Sequence, residues 1–568
     1  MTSEFETVAQ RAALALRRHD VEVIFGQSLP SAVILAAEAL GIRQISYRQE
    51  NMGGAMADGY ARMSGRVAVV AAQNGPAATL LVPPLAEALK ASIPIVALVQ
   101  EVERDQADRN AFQELDHIAL FQSCSKFVRR VVTEDRIDDY IDMAFTAAAS
   151  GRPGPAVLLL PADLLRQGAA APLVRRSANL GYWPLDKFRP SDEQIIDLAE
   201  RIARAEAPLV IAGGGVHAAD GPHALAHLQD LASLPVFTTN MGKGAVDEFH
   251  PLSAGPMTLM GPLSLGARTR RLLEEADLIV MVATRSNQNG TDSWRLIPPT
   301  ATIVHIDIDP VEIGRNYEAI RLVGSAAETL KSLCIALKKV DLSTRRKNRR
   351  GLEAAIAEAW SAFARDRLSL VEQNGRPLRP EAVMKELQER MTAQTIVVAD
   401  ASYSSMWIVG QLRSLRAGMR FLAPRGLAGL GWGLPLALGA KAARPGQRVI
   451  AVVGDGGFAH SWAELETLVR SRLPVTILLL NNGILGFQKH AETVKFGEYT
   501  SAIHFHDVDH VKIAEACGCP AVSAHSIADV SAALDRAFET DGPLLVEIMT
   551  DPDAFPALSL FAGLEVAA

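Results

Sequence analysis

The stretch "VVGDGGFAHSW" (residues 452–462) is followed, one helix-like and one strand-like run later, by "LLLNNGILG" (residues 478–486). Gly454 and Gly456 let the main chain turn tightly and approach a ligand, and Gly457 opens a helix whose free N–H groups can face phosphate oxygens. The 24 residues between Gly456 and Asn481 suffice for a helix ("AELETLVRS"), a short turn and the return strand "PVTILLL" of one βαβ unit. Asp455 and Asn482 therefore emerge side by side. A carboxylate and an amide oxygen with a nearby backbone carbonyl suit Mg²⁺, which completes its octahedron with substrate phosphate and water. "GDGG" alone also describes an ordinary strand-to-helix turn; the Asn pair at the end of the next strand turns the reading toward a magnesium diphosphate site.

Strand-like runs alternate with helical periodicity along the whole chain. "VEVIFG", "RVAVVAAQ", "IPIVALVQ" and "PAVLLLP" come first, "APLVIAGGGV", "DLIVMVAT" and "ATIVHIDIDP" next, and "QTIVVADA", "RVIAVVGDGG" and "PVTILLLNN" last. Their near-continuous apolar character predicts strands covered on both faces. The expected class is α/β, with three doubly wound parallel-sheet domains over residues 1–170, 190–340 and 376–555. A linker is expected near residues 168–192, and "STRRKNRRGLEAAIAEAW" leads into the third domain, its basic run Arg345–Arg350 reading as a solvated face.

The chain has 568 residues, 49% of them hydrophobic and 21% charged, with a net charge of -7, so it reads as globular and offers no basic excess for nucleic acid. No apolar run reaches the length of a membrane span or signal peptide, and a cytoplasmic location is expected. Cys124, Cys334, Cys517 and Cys519 are too scattered for a disulfide framework or a zinc site and read as reduced structural thiols.

A Gly-Asp-Gly followed some two dozen residues later by Asn-Asn resembles the signature of the thiamine diphosphate-dependent enzymes. That resemblance implies metal ligation by Asp455, Asn482 and the backbone of Ile484, and cofactor contacts from Asn74, Gly429, Leu430, Gly454, Gly456, Gly457 and Leu485. It also implies a carboxylate from the N-terminal domain of a partner subunit that holds a proton on the aminopyrimidine ring. "QISYRQENMGGAMADGYARMSGRVAVV" supplies Glu50 at a strand end and helix start, with Gly53 and Gly54 for close packing.

"GYARMSG", "NGPAATLLVPPLAEALKASIPIVAL", "AFQELDHIALFQSCSKFVRRV", "GRPGPAVLLLPAD", "HIDIDPVEIG" and "GLAGLGWGLPLALGA" make the resemblance closest to the acetolactate synthase branch. By similarity, Phe112, Gln113 and Lys126 line the acceptor side, with core aromatic, capped polar and surface base as the alternatives. Leu430 matches the bulky apolar residue that props the cofactor into its bent form, where synthases usually carry Met. The chain departs at "FGQSLPSAV", where Ser28 and Leu29 replace expected glycines, and at Gln49 in "RQE". In "DASYSSMW", Ser404 and Ser405 become the candidate hydroxyl donors to diphosphate.

"GILGFQKHAETVKFGEYTSAIHF" is expected to cover the substrate as a mobile loop, with Lys489 and His490 as either substrate contacts or solvated charges. In the central domain, "VIAGGGVHAADG" resembles a dinucleotide loop without its full spacing, and Asp307 or Asp309 could reach a ribose. FAD is an option there by analogy, without redox use. The resemblance implies decarboxylation of a 2-oxo acid, pyruvate in its plainest form, and ligation to a second carbonyl. The alternatives within the family are plain decarboxylation, acyloin lyase chemistry, and acyl transfer as in sulfoacetaldehyde acetyltransferase. It further implies a homodimer or homotetramer with active sites between subunits.

Overall fold

The computed structural model describes residues 6–169, 174–373 and 375–564. Among them, eighteen strands form three six-stranded sheets in which every pairing is parallel, as the continuous apolar runs require. The first sheet comprises β1 (Val23–Gly26), β2 (Arg43–Ile45), β3 (Ala68–Ala72), β4 (Ile95–Glu101), β5 (Phe127–Arg130) and β6 (Ala156–Pro161), in the order β2-β1-β3-β4-β6-β5. β3 and β6 are buried throughout and β4 at all positions but Gln100, whereas the edge strands β2 and β5 are partly exposed.

The central sheet comprises β7 (Pro208–Ala212), β8 (Val236–Thr238), β9 (Ser253–Pro256), β10 (Leu278–Val282), β11 (Thr302–Asp307) and β12 (Ile320–Val323). Its order, β12-β11-β10-β7-β8-β9, is the doubly wound one with a switch point between β7 and β10. The third sheet comprises β13 (Ile396–Ala399), β14 (Phe421–Leu422), β15 (Val449–Gly454), β16 (Thr476–Asn481), β17 (Ala521–Ala524) and β18 (Leu544–Met549). It is ordered β14-β13-β15-β16-β18-β17, which repeats the topology of the first sheet.

The first and third domains meet through two helices, Glu50–Ser64 and Gly433–Ala443. Their backbones approach so closely that a Cβ on Gly59 would lie 2.1 Å from the Leu436 oxygen, and one on Gly439 1.9 Å from the Met56 oxygen. One apolar core runs through both domains across this crossing.

The basic run keeps the expected solvated face at Arg346, Lys347 and Arg350, which are exposed, and departs from it at Arg345. It lies on a 24-residue helix, Ser343–Asp366, that packs back onto the central domain. Arg345 is fully buried and donates to the Glu206 carbonyl at 2.7 Å, while Arg349 pairs with Asp230 and Glu353. The four cysteines are free, and burial pushes the thiols of Cys124, Cys334 and Cys519 up to about 11. Among the described residues, no helix is long and apolar enough to cross a membrane.

Candidate functional site

β15 and β16 pair with Gly454 opposite Leu480, so both strands end at the same level. Asp455 begins a one-turn helix there, and its Oδ2 accepts the Gly483 N–H at 3.1 Å. Its Oδ1 and the Ile484 carbonyl lie 3.2 and 2.9 Å from one terminal atom of the Asn482 amide. With the amide nitrogen in that place, Asn482 donates to both. With the amide oxygen there, three oxygens would converge, a set that a bound cation would satisfy. A carboxylate, an amide oxygen and a backbone carbonyl form a donor set suited to Mg²⁺. Burial raises the Asp455 pKa, a cost that a bound cation would offset.

The neighbouring glycines have no space for side chains. A Cβ on Gly456 would lie 2.9 Å from the Phe505 ring and 3.2 Å from Leu485, and one on Gly457 would lie 1.9 Å from Asp400 Oδ2. Ser404 sits beside Gly454, buried, and its hydroxyl makes no hydrogen bond among the described residues. The Ser405 hydroxyl is already engaged: it donates to the Ser402 carbonyl at 2.7 Å and accepts from Arg425. Ser402 itself holds φ +62°, a conformation that favours glycine.

The covering segment is helical over Gly486–Phe496 and closes on the Asn482 turn through two backbone bonds. Leu485 donates to Ile503 and Phe505 to Gly483, each at 2.9 Å. Lys489 is paired with Asp553 rather than free, and His490 is buried, accepting the Tyr403 hydroxyl at 2.6 Å among Phe555 and Phe561. Burial pushes His490 down to about 4, so it is neutral at physiological pH.

Leu430, 38% exposed, projects from the loop between β14 and helix Gly433–Ala443. The buried Asp400, at the end of β13, accepts the N–H groups of Gly431 and Trp432 at 2.9 and 3.1 Å and so fixes the turn beside Leu430. Gly429 packs against the Trp432 ring, and Gly431 takes φ +87° beside His460. Asp400 is absent from the residues singled out in the sequence. Its position at a strand end in "VVADA" was the available signal.

In the first domain, Glu50 begins helix Glu50–Ser64 and makes no hydrogen bond or ion pair among the described residues. Below it, the buried Glu464 of the third domain accepts the backbone N–H groups of Arg48 and Gln49 at 2.9 and 3.2 Å. Asn74, Phe112 and Gln113 come together: the Asn74 amide donates to the Phe112 and Gln113 carbonyls at 3.2 and 3.1 Å. Gly75 donates to His117 Nε2 at 3.0 Å, and His117 is backed by Glu101, which pairs with Arg130. Hydrogen bonds from His117 and Arg130 outweigh burial and hold the Glu101 carboxyl below its usual range. Phe112 is 83% exposed, an unpartnered aromatic at the rim. Lys126 stands apart from this group, its ammonium capping the Ser150 and Arg152 carbonyls at 2.9 and 2.7 Å. Its exposure fits the surface-base alternative.

At the central switch point a cavity of ≈ 320 Å³ opens, lined by Gly214, Gly215, Asn240, Arg152, Arg285 and Arg425 among others. In its wall, His217 Nδ1, Asn240 Oδ1 and Ser325 Oγ are buried without partners.

Descriptions of known families match in three blocks: "Thiamine pyrophosphate enzyme, N-terminal TPP binding domain" over residues 6–120, "central domain" over 195–333 and "C-terminal TPP binding domain" over 400–548. A protein named "Probable acetolactate synthase large subunit" from Methanocaldococcus jannaschii is 32% identical over 96% of this chain and 93% of its own length. The chain belongs to the thiamine pyrophosphate enzymes. Within that family it is similar to the acetolactate synthase of Mycobacterium bovis, 32% identical over 96% of this chain and 88% of that one. The large subunit of acetolactate synthase isozyme 2 from Escherichia coli is 30% identical over 96% and 95%. As a thiamine pyrophosphate enzyme related to acetolactate synthase large subunits, the chain carries Glu50 and Asn74 in the first matched block, and Asp455 and Asn482 in the third.

Proposed function

We propose that this enzyme uses thiamine diphosphate and Mg²⁺ to decarboxylate a 2-oxo acid, pyruvate first, and to join the two-carbon unit to a second carbonyl. The convergence of Asp455 Oδ1, the Asn482 amide and the Ile484 carbonyl carries the reading. Asp455, Asn482 and Ile484 would hold the cation, with Leu485 covering it. The N–H groups at Gly456 and Gly457 and the Ser404 hydroxyl would hold phosphate oxygens. Bound there, thiamine diphosphate supplies an electron-accepting thiazolium ring.

Leu430 would prop the cofactor in its bent form. Glu50, without a hydrogen bond or ion pair among the described residues, would hold a proton on the aminopyrimidine ring of a cofactor bound by the partner subunit. The working unit on this reading is a homodimer or homotetramer, with domains 1–170, 190–340 and 376–555 in each copy. Phe112 and Gln113 form the acceptor-side wall, and segment Gly483–Phe505 excludes water.

The central cavity supports a nucleotide without redox turnover, FAD among the options, because its partnerless polar atoms and arginines suit phosphate and sugar oxygens. A different outcome after decarboxylation is favoured by one observation. At the end of β1, where the resemblance expects glycines, Ser28 takes φ +71° and Leu29 adds bulk. Incubation with pyruvate, thiamine diphosphate and Mg²⁺ separates the outcomes: acetolactate supports the proposal, acetaldehyde alone indicates a decarboxylase, and acetyl phosphate in phosphate buffer indicates acyl transfer. No turnover across a panel of 2-oxo acids and aldehydes would overturn it.

A further inference from the structure

The loop that carries Leu430 is held at both ends by buried carboxylates from different domains. On its C-terminal side the holder is Asp400. On its N-terminal side Glu87, from helix Val82–Ala91 of the first domain, accepts three successive backbone N–H groups: Gly426 at 2.5 Å, Leu427 at 2.5 Å and Ala428 at 3.2 Å. These contacts span about 340 positions of sequence.

Glu87 is 2% exposed, and its nearest cation is Arg62, 4.0 Å away and already committed to Asp58 and the Ala423 carbonyl. Arg62 and Arg425 attract the Glu87 carboxylate, but a buried carboxylate also needs hydrogen-bond donors on its oxygens. Here the three amides meet that need, and in return their orientation is fixed. Two further features show the loop is built to this carboxylate. Ala428 adopts φ +62°, which a residue with a Cβ seldom holds without external restraint. A Cβ on Gly426 would lie 2.5 Å from the Glu87 carbonyl oxygen and 3.0 Å from Oε1, so the backbone sits as near as glycine permits.

We propose that Glu87 is a positioning residue that sets the projection of Leu430 by gathering the amides of residues 426–428 across the domain boundary. It touches neither cofactor nor substrate and acts through the loop. This rests on the reading that Leu430 supports the thiamine rings.

The test uses full-length enzyme with thiamine diphosphate and Mg²⁺ as the probe. Glu87→Gln keeps the side chain's size but sets an NH₂ group against the amide donors. Hydrogen exchange in E87Q is expected to accelerate about tenfold or more at residues 426–428 and to stay unchanged at Gly431 and Trp432, which Asp400 holds. Cofactor affinity, read by calorimetry, is expected to stay within about threefold, because the cation site is intact, while kcat falls about 10–100-fold and substrate KM moves less than about threefold. Leu430→Ala is expected to lose a similar factor, and E87Q combined with L430A no more than L430A alone.

Should E87Q fail to fold, Gly426→Ala displaces the same loop while leaving Glu87 in place, and is expected to give the same exchange and kcat signature. Unchanged exchange, unchanged kcat, or losses that multiply in the double variant would each overturn the proposal. Wild-type enzyme that binds no thiamine diphosphate with Mg²⁺ would instead remove the functional reading beneath it, a result visible before any variant is made.

Discussion

The first and third sheets share one strand order, yet their strand ends carry opposite equipment. In the third domain the ends of β15 and β16 bring Asp455 Oδ1 and the Ile484 carbonyl oxygen to one end of the Asn482 amide. In the first domain the end of β3 is occupied by Asn74, which ties down Phe112 and Gln113, and beyond β2 stands Glu50, with no hydrogen bond or ion pair among the described residues. On the proposed reading, one scaffold is fitted once for anchoring and once for proton handling and substrate contact. The difference lies wholly in the loops beyond the carboxyl ends of the strands, as ligand sites on open α/β sheets require.

That division of labour predicts a split between binding and turnover. Glu50→Gln is expected to lower kcat by about 10²–10⁴-fold, the range for a lost general acid–base group, while leaving calorimetric cofactor affinity nearly unchanged. Asp455→Ala is expected to weaken Mg²⁺-dependent cofactor binding by at least the ~10–100-fold seen when metal sites lose a supporting group. If both variants fail in binding, or both in turnover alone, the contrast between the two domains does not hold.

The glycines sharpen the comparison on the side of stability. Gly457→Ala would place its Cβ 1.9 Å from Asp400 Oδ2, and Gly53→Ala would place its Cβ 2.1 Å from the Tyr47 ring. Each is expected to cost about 1–3 kcal/mol in urea unfolding, since both strand-to-helix turns are packed to contact.

An effect confined to part of the pH range belongs to the central domain, which stands outside the repeated topology. Burial pushes the Asp307 carboxyl up to about 7. Between about pH 4 and 7 the folded chain keeps a proton that the unfolded chain releases, so stability is lost as pH rises through that window. Asp307→Asn is expected to raise stability at pH 8 by on the order of 1–3 kcal/mol and to leave it unchanged near pH 4, measured by thermal unfolding at both pH values.

The long buried strands were legible because a parallel strand covered on both faces is dominated by apolar residues: β3, β6, β15 and β16 lie within the runs quoted from the sequence, and β4 extends past its run only by Glu101. The strand expected before Glu50 overlaps β2, whereas β5 was not legible, because an edge strand of four residues with exposed arginines has no such run. The family and its Asp455–Asn482 spacing could be read because one βαβ unit fixes them locally. His117 and Glu87 could not be read, because each acts on backbone far away in sequence, and nothing near either residue announces its target. Arg345 escaped for the related reason that a basic run on a helix looks solvated until another domain's carbonyl is found beneath it.

The Asn482 amide has a choice of faces, and that choice bears on how the enzyme survives depletion. Rotated one way, it offers its oxygen to an ion; rotated the other, its own hydrogens bridge Asp455 and Ile484. If the proposed cation binds there, chelation would leave a cradle able to mend itself, and apoenzyme prepared by dialysis is expected to stay folded and to recover when magnesium and thiamine diphosphate are restored.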